Sequence, residues 1–462
     1  MLKPPPRFSV RSIHTASSGK PVVVVGVEQV GDEQSFELTP SAHRIDSVTG
    51  GKLASSLAAS GARLEAGKSR LLGQLHEDIG PVVVVGLGKK EGRGFDSEEG
   101  VDWGREAVRK AAASGVRAAA ELKAGEVHVE TFGDGEAAAE GATLANWQYD
   151  QFKSEKKPLP KVGCLVRGGN EGEGDGEGWN RGEILGNAQN LARRLMEAPA
   201  SFLTPTQFCE EARLALDGLP VHVEVRDRSW AEEKGMGSFL SVAQGSAQPP
   251  KFLELHYKGG EEGAPPAVFV GKGVTFDTGG ISIKPSAKMD LMRGDMGGAA
   301  VVTSCMTAVA KLGMNLNLTV LVPLTENMPG SRATRPGDVV TAMNGKTIQV
   351  NGVRRKMLEC NVHLQVDNTD AEGRLILADA LCYADTLSPR LVSPTISLSR
   401  LSRFVFKVLD IATLTGACSV ALGTAATGVF CTDAQDFAAL ERWVFHYLIF
   451  MKTLNQVWQY VR

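Results

Sequence analysis

Short runs of apolar, mostly β-branched residues recur in the first third of the chain. Val22 to Val27 and Pro81 to Leu87 are two such runs, and each contains a glycine near its end. A continuous apolar run of this length is typical of a strand that is buried on both faces of a parallel sheet. Helical patterns follow at Val101 to Leu122 and Glu136 to Phe152, with a strand pattern near Glu126 to Thr131 between them. The alternation predicts an N-terminal α/β domain.

The pattern is interrupted between Asn170 and Asn180, where glycine and acidic residues dominate. A segment with so little to bury is expected to be a surface loop near a domain boundary. We therefore predict an N-terminal domain over residues 21–170 and a second domain over residues 181–430. These are flanked by a leader of residues 1–20 and a tail of residues 431–462.

Helix and strand patterns alternate again after that segment. A helix is predicted from Arg181 to Met196, and a second helix from Thr204, a capping residue that is followed by Pro205 in the first turn. Further strands are predicted at His222 to Val225, Phe252 to Tyr257, Ala267 to Gly271, Leu318 to Pro323 and Phe404 to Ile411, and further helices at Gly297 to Leu312 and Leu375 to Ala384. The fold class is thus α/β, with a mostly parallel central sheet that gathers ligands at the carboxyl ends of its strands.

Composition and charge exclude several classes of partner. With 462 residues, 43% of them hydrophobic, the chain can form two domain cores. A net charge of -3 provides no strong field to attract nucleic acid or an anionic membrane. The closest approach to a membrane span, Trp443 to Met451, is shorter than the roughly 20 residues that cross a bilayer. Seven cysteines without a C-x-x-C pair favour a reducing compartment.

The leader is basic and contains several serines. Arg7, Arg11 and His14 lie in it, and the first acidic residue is Glu28. This composition is similar to that of a weak mitochondrial transit segment, and a disordered leader is the alternative. We predict a cytoplasmic location and leave a mitochondrial one open.

The polar residues that stand out follow the predicted strand Ala267 to Gly271. Lys272 and Asp277 leave that strand within a glycine-rich segment, and Asp295 comes directly before the predicted helix that starts near Gly297. An α/β sheet places its site at such strand ends, and the flanking glycines let a ligand approach the backbone. For Asp295 alone, a helix cap is the alternative interpretation.

A third acidic segment, Asp367 to Arg374, lies just ahead of the helix predicted from Leu375. In an extended segment alternate side chains share a face, so Asp370, Glu372 and Arg374 are expected to point the same way. The alternative is a polar turn whose acidic residues only favour the start of the helix.

Together these segments predict a metal site. Burying so many carboxylates without partners would cost several kcal/mol each, and a pair of divalent cations would offset that cost. The ligand types exclude a structural zinc site of the cysteine and histidine kind, whereas oxygen ligands suit magnesium or manganese and are also accepted by zinc. The candidate side chains are Lys272, Asp277, Lys284, Asp295, Asp370, Glu372 and Arg374.

These segments resemble those of the cytosolic leucyl aminopeptidase family, most specifically Asn368 to Leu375. The similarity runs from the first domain to about Phe430 and includes Gln189 to Arg193, Met236 to Val242 and Thr413 to Ala417. The resemblance implies a hydrolase that removes the N-terminal residue, preferably leucine or another apolar residue, from peptide substrates. It implies two divalent ions per subunit, zinc or manganese with magnesium left open, and assembly into a homohexamer.

The resemblance also implies a role for each candidate. One metal ion would be held by Lys272, Asp277, Asp295 and Glu372, and the other by Asp277, Asp370 and Glu372. Lys272 has to be neutral to act as a ligand, and a neighbouring dication lowers its pKa. Lys284 would polarise the scissile carbonyl, and Arg374 would hold a bicarbonate that moves the proton. The substrate would contact Ser282 together with Lys272, Asp277, Lys284, Asp295 and Asp370.

The chain departs from the family pattern in three places. Asn351 to Val366 and about Ser393 to Phe406 are expected to be insertions beside the site, and the residues after Cys431 no longer resemble the family. Lengthening a loop costs only about 0.6 kcal/mol per doubling, so insertions that bulge outward leave the ligands in place. The altered tail would normally complete the core and the hexamer contacts. A catalytically impaired isoform with a binding or assembly role is therefore one alternative, and a dinuclear phosphatase or nuclease is another.

Overall fold

The structure is a computed structural model that describes residues 19–30, 35–60, 64–90, 93–96, 101–165, 173–350, 364–366, 368–387, 408–423 and 428–429. The predicted leader up to residue 18, most of the first insertion, the second insertion and the predicted tail lie outside these ranges. The chain divides into two compact units, Met1–Asn190 and Leu191–Arg462. None of the helices in the described ranges combines the length and the apolar character of a membrane span.

The first unit is built on a parallel sheet with antiparallel strands beside it. Its elements are β1 Val22–Gln29, β2 Phe36–Leu38, α1 Pro40–Val48, α2 Lys52–Ala59, β3 Ser69–Gly73, β4 Val82–Lys89, β5 Phe95–Asp96, β6 Val101–Asp102, α3 Trp103–Glu121, β7 Glu126–Val129, α4 Gly135–Ala145 and β8 Lys161–Cys164. The strand order is β3-β4-β1-β7-β8, in which β1, β4, β7 and β8 are parallel. β3 pairs antiparallel with β4, and β2 pairs antiparallel with β1.

The valines of β1 show why an apolar run without alternation forms a strand here. Val22 and Val24 lie in one hydrophobic cluster, whereas Val23, Val25 and Val27 lie in another. Because successive strand side chains point to opposite faces, both faces of β1 are buried. The buried parallel strand that was predicted for this run is confirmed.

The predicted surface loop from Asn170 to Asn180 is wrong for most of its length. Helix α5 spans Glu173–Glu197, so it begins about two turns before the predicted Arg181. Trp179 is 7% exposed and packs in the core of the first unit, in the cluster that contains residues of α3 and α4. A buried aromatic residue of this size anchors the start of α5 even though the composition around it is polar.

The second unit continues from α5. Its further elements are α6 Pro205–Leu216, β9 Val221–Arg226, α7 Arg228–Glu233, α8 Gly237–Val242, β10 Lys251–Lys258, β11 Ala267–Gly271, β12 Gly273–Asp277, α9 Gly297–Lys311, β13 Asn317–Asn327, β14 Val339–Thr341, β15 Thr347–Val350, β16 Leu364–Val366, α10 Glu372–Thr386, β17 Val408–Ile411 and α11 Gly416–Leu422. Short 3₁₀ helices lie at Ala243–Gly245 and Met289–Gly294. As predicted, Thr204 caps α6, and its hydroxyl accepts from the Gln207 amide.

The central sheet of this unit has the order β17-β11-β13-β10-β9. β12 pairs with the C-terminal part of β13. β11 is parallel to β13 and β17, and β12 is parallel to β13, while β10 is antiparallel to β13 and β9. The predicted α/β class with a mostly parallel centre is confirmed. The parallel strands place their carboxyl ends along one edge, where Asp277 ends β12 and Asn327 ends β13.

A smaller sheet, β14-β15-β16, contains the Gln349-Val350 pair that precedes the predicted first insertion and the Gln365-Val366 pair that ends it. β15 and β16 are parallel, and Gln349 lies opposite Gln365 while Val350 lies opposite Val366. The repeated dipeptide therefore forms a pair of neighbouring strands. Each copy has its own place in the sheet, one beside the other.

Two contacts fix the helices that carry candidate residues. Gly298, at the start of α9, lies so close to β17 that a Cβ would be 1.9 Å from the Ile411 carbonyl oxygen. Asp379 of α10 is 1% exposed, and its carboxylate accepts hydrogen bonds from the Phe239 amide at 2.8 Å and the Met343 amide at 2.7 Å. Burial raises the pKa of the Asp379 carboxyl, yet the Phe239 donor holds α10 against α8 and the Met343 donor holds it against the turn between β14 and β15.

Candidate metal centre

Asp277 is the last residue of β12 and is 2% exposed. Its Oδ1 atom accepts hydrogen bonds from the Gly279 amide at 2.9 Å and from Asn327 Nδ2 at 2.8 Å. Its Oδ2 atom lies 2.8 Å from Lys284 Nζ. The carboxylate is therefore held in one orientation at the carboxyl end of the sheet, as the α/β pattern predicts.

A tight turn returns the chain to this carboxylate. Gly279 and Gly280 have φ values of 88° and 67°, a backbone conformation that favours glycine. The Lys284 amide then donates to the Thr278 carbonyl at 2.8 Å, which closes the loop. The glycines that were expected to admit a ligand thus also bend the chain so that Lys284 reaches the site.

Lys284 bridges two carboxylates, because its Nζ atom contacts Asp277 Oδ2 and Asp370 Oδ1. Burial acts to lower the pKa of Lys284, but hydrogen bonds and charge interactions with Asp277 and Asp370 outweigh it and raise the pKa above its usual range. Burial also raises the pKa of the Asp370 carboxyl, which is only partly offset by Lys284. Lys284 is thus held as an ammonium group at the edge of the acidic cluster.

Lys272 forms a second bridge deeper in the unit. It is 2% exposed, and its Nζ atom lies 2.8 Å from Asp295 Oδ1 and 2.8 Å from Glu372 Oε1. Nζ also donates to the Thr413 carbonyl at 3.1 Å. Burial acts to lower the pKa of Lys272, but the charges of Asp295 and Glu372 outweigh it and raise the pKa.

Asp295 does not cap helix α9. The N-cap residue is Met296, and no side chain caps that end. Asp295 Oδ1 instead accepts from Lys272 and from Thr413 Oγ1, each at 2.8 Å. Burial raises the pKa of the Asp295 carboxyl well above its usual value, against the lowering effect of Lys272. The capping alternative is therefore wrong, and Asp295 belongs to the same cluster as Lys272.

The segment from Asp370 to Arg374 is not extended. α10 begins at Glu372, whose neighbours Leu375 and Ile376 are buried in the core of this unit. Glu372 is 2% exposed, whereas the Arg374 side chain is exposed. The expectation that Asp370, Glu372 and Arg374 share a face through strand alternation is wrong, because apolar burial draws this segment into a helix.

Asp370 and Glu372 nevertheless meet Asp277. Ligand oxygen atoms of these three residues all lie within 4.8 Å of one another. Two buried carboxylate oxygens, Asp295 Oδ2 and Glu372 Oε2, have no hydrogen-bond partner among the described residues. Unpaired buried acceptors of this kind are costly, and hard cations prefer oxygen ligands. The donor set therefore fits divalent metal ions.

Hydrogen bonds join the Lys284 loop to the Asp370 segment. The Ser282 amide donates to Thr369 Oγ1 at 2.8 Å, and Thr369 Oγ1 donates to the Gly279 carbonyl at 2.7 Å. The Thr369 amide donates to Ser282 Oγ at 3.4 Å. Ser282, which was expected to contact substrate, thus lies beside the cluster and joins the loop of Lys284 to the segment of Asp370.

Sequence patterns did not single out three side chains that hold the cluster: Asn327, Thr369 and Thr413. Thr369 and Thr413 lie within segments that resemble the family, but no role was assigned to them. Asn327 carried a usable signal, because it is a polar residue at the carboxyl end of a strand that pairs with β12.

Buried carboxylates at the carboxyl ends of a parallel sheet, with free oxygens beside two lysines, are typical of a metal-dependent hydrolase. The model of the cytosol aminopeptidase family catalytic domain matches residues 190–354 and 358–444, and the model of its N-terminal domain matches residues 24–156. The chain belongs to the cytosol aminopeptidase family. The predicted class of enzyme, a leucyl-type metallo-aminopeptidase, is confirmed by this membership.

Similar proteins cover most of the chain. Human cytosol aminopeptidase is 47% identical over 427 residues, which are 92% of this chain and 75% of the relative. The pig protein of the same name is 48% identical over 402 residues, 86% of this chain and 70% of the relative. The solved structure of the bottromycin maturation enzyme BotP in complex with Mn has a TM-score of 0.65 and 29% identity, and covers 87% of this chain and 74% of BotP.

The family match also bears on the places where this sequence departs from the pattern. The catalytic-domain match is interrupted at residues 355–357, inside the stretch predicted to be the first insertion. It continues to residue 444, beyond residue 430 where the resemblance was expected to end. The predicted domain bounds of 21–170 and 181–430 stay predictions beside these matches.

Proposed function

We propose that this chain removes the N-terminal residue from peptides, with leucine or another apolar residue preferred, by means of two divalent metal ions in the cluster. The observation that carries the proposal is the meeting of Asp277, Asp370 and Glu372, whose oxygens lie within 4.8 Å of one another. Two segments that are distant in the sequence supply these residues, one with Asp277 and the other with Asp370 and Glu372, so their convergence is a property of the fold and not of one acidic loop.

The contacts favour a division of ligands between two positions. Lys272 contacts both Asp295 and Glu372 in the deeper part of the cluster, and Asp277 and Asp370 share Lys284 nearer the edge. We assign Lys272, Asp277, Asp295 and Glu372 to one ion and Asp277, Asp370 and Glu372 to the other. Asp277 and Glu372 would then be shared, which is consistent with the contact of Glu372 with Lys272 and with the approach of its carboxylate to within 4.8 Å of Asp277 and Asp370.

When bound, two divalent ions activate a water molecule at neutral pH and stabilise negative charge on a carbonyl oxygen. Lys272 has to release a proton from Nζ before its nitrogen can act as a ligand, so we expect metal binding to release protons. Lys284, held as an ammonium group by Asp277 and Asp370, would donate a hydrogen bond to the scissile carbonyl oxygen. The carboxylates favour the cationic amino terminus of a peptide.

Arg374 lies on the exposed side of the first turn of α10, two residues after Glu372. We propose that its guanidinium holds a bicarbonate ion that accepts and returns the proton, since a planar guanidinium matches a planar anion with two hydrogen bonds. Its exposure leaves the group accessible to such an ion.

The nature of the metal and the assembly are proposed by analogy. BotP is solved in complex with Mn, which favours manganese beside zinc, with magnesium as a further option. The names of the human and pig relatives favour a cytoplasmic location, and a mitochondrial one stays an alternative. A homohexamer is the assembly that the family resemblance implies. The impaired isoform is not favoured, because each proposed ligand is present and lies in the cluster.

Metal removal tests this function. We expect a chelator to abolish release of leucine from leucyl amide, and two equivalents of Mn²⁺ or Zn²⁺ per chain to restore it, because the proposed site needs both ions. The measurement is hydrolysis together with metal content on one purified sample, with a phosphate ester as control substrate. Hydrolysis that survives complete removal of metal, or hydrolysis of the phosphate ester alone, would contradict the proposal.

A further inference from the structure

The amide side chain of Asn327 contacts both the segment of Asp277 and the segment of Asp370. Asn327 is the last residue of β13 and is 5% exposed. Its Nδ2 atom donates to Asp277 Oδ1 at 2.8 Å and to the Thr369 carbonyl at 3.1 Å. Asp277 is a proposed ligand, and Thr369 directly precedes the proposed ligand Asp370. The two hydrogens of this amide therefore link the segment of Asp277 to the segment of Asp370.

The backbone of Asn327 is fixed on the same side. Its carbonyl oxygen accepts from the Thr278 amide at 3.0 Å and from Thr278 Oγ1 at 2.8 Å, and its Cα is the register partner of Asp277. The Oδ1 atom faces Gly280, where a Cβ would lie only 2.8 Å away. Neighbouring residues therefore fix both the position of the Asn327 backbone and the orientation of its side chain.

The chemistry of the partners requires an amide at this position. Asp277 Oδ1 and the Thr369 carbonyl are both acceptors, so the NH₂ group has to face them. Leucine would offer no donor, and an ionised aspartate would add a third acceptor against two others. With Oδ1 held by Asn327 and by the Gly279 amide, Asp277 keeps Oδ2 turned towards Lys284 and the cluster.

We infer that Asn327 is a positioning residue that holds Asp277 and the Asp370 segment at the separation needed to bind two metal ions. The inference rests on the proposed function of the cluster and names a residue that acts on the metals only through their ligands. Outer hydrogen bonds of this kind orient ligands before the ion arrives, and losing one typically weakens metal binding or activity about 10–100-fold.

The test is Asn327→Ala, with Mn²⁺ alone as the probe. We expect the apparent Kd for Mn²⁺, measured by calorimetry, to rise about 10–100-fold. In the Mn²⁺-saturated enzyme we expect kcat for leucyl amide to fall while KM changes little, because Asn327 is inferred to act through the metal ligands and not on the substrate. Altered spin coupling between the two bound Mn²⁺ ions in the electron paramagnetic resonance spectrum is a third expected change.

The same strand offers a matched control. Asn317, at the other end of β13, accepts from the Gly260 amide at 3.0 Å and donates to the carbonyls of Glu261 at 3.0 Å and Ala264 at 2.8 Å. Asn317→Ala removes three side-chain hydrogen bonds, against two for Asn327→Ala, but lies about ten residues, roughly 33 Å, away along the strand. We expect it to lower stability without changing the affinity for Mn²⁺.

Asn327→Asp keeps the test decisive if the alanine variant fails to fold, because it retains the shape and removes the donor. We expect it to lose Mn²⁺ affinity as the alanine variant does. Affinity equal to or tighter than that of the unmodified protein in the folded variants would overturn the inference. So would an equal loss in Asn317→Ala. A failure of the peptidase proposal would look different, since the unmodified protein would then bind Mn²⁺ without hydrolysing leucyl amide.

Discussion

Glu372→Ala is expected to abolish hydrolysis of leucyl amide and to remove most metal binding. Glu372 is 2% exposed, contributes an oxygen to the group with Asp277 and Asp370, and has a second oxygen without a hydrogen-bond partner among the described residues. Loss of a shared ligand removes several kcal/mol of charge stabilisation, and about 4 kcal/mol corresponds to roughly 10³-fold in rate. The measurement is kcat/KM beside metal content. Asp277→Ala is expected to have the same effect.

Two controls separate this effect from general damage. Glu372→Gln keeps the volume and removes the charge, so it should also lose metal while disturbing the packing around Lys272 less. Asp385→Ala removes an exposed acid near the other end of α10 and should leave both metal content and hydrolysis unchanged. Full activity in a folded Glu372→Ala variant would contradict the assignment of this residue as a shared ligand.

Lys284→Met is expected to lower kcat by about 10²–10³-fold, the usual cost of losing one preorganised donor to a developing oxyanion. Metal affinity should be maintained or increased, because the variant removes a positive charge from between Asp277 and Asp370. The variant would thus lose kcat without losing affinity for the metal. Unfolding would lower both, so this result would separate the two causes. Steady-state kinetics and Mn²⁺ titration of one sample measure both.

The same loop provides the comparison for that variant. Lys288 is exposed and carries the same charge four residues further along, so Lys288→Met should leave kcat unchanged. Lys284→Arg keeps the charge but changes the geometry of the donor, and we expect it to recover part of the lost rate. Equal kcat values for Lys284→Met and the unmodified enzyme would show that Lys284 does not act on the carbonyl.

Much of the fold could be predicted from the sequence because its central strands are buried on both faces. Runs such as Val22 to Val27 have no polar residue that could face water, and the structure divides their valines between two clusters. The convergence of three acidic segments was also predictable, because strand ends and helix starts gather at one edge of an α/β sheet.

The predictions that were wrong relied on the average composition or spacing of a segment. In each case a few buried side chains determined the structure instead. The segment before Arg181 looked too polar to pack, but the buried side chain of Trp179 anchors it in the core of the first unit. The segment after Asp370 looked extended in its spacing, but Leu375 and Ile376 draw it into α10 and turn Arg374 outwards. Composition and alternation are averages over several residues, so neither detects a single buried side chain.

The pairing of lysines with acids was the least predictable feature of the site. The free-energy cost of burying the carboxylates was expected to be offset by divalent metal ions alone. In the structure, Lys272 and Lys284 each bridge two of the carboxylates. Partner choice of this kind depends on the positions of β11, α9 and α10 in three dimensions. The place of Asn327 at a strand end was readable from the sequence, but its two hydrogen-bond acceptors were not, since they come from segments that are distant in the sequence.

A crystal of the full chain grown with Mn²⁺ would test the central claim most directly, because anomalous scattering locates the ions without assumptions about ligands. We predict two peaks per chain about 3.5–4 Å apart, with carboxylate oxygens of Asp277 and Glu372 bound to both. A single peak, or peaks that do not contact Asp277, Asp370 and Glu372, would contradict the account.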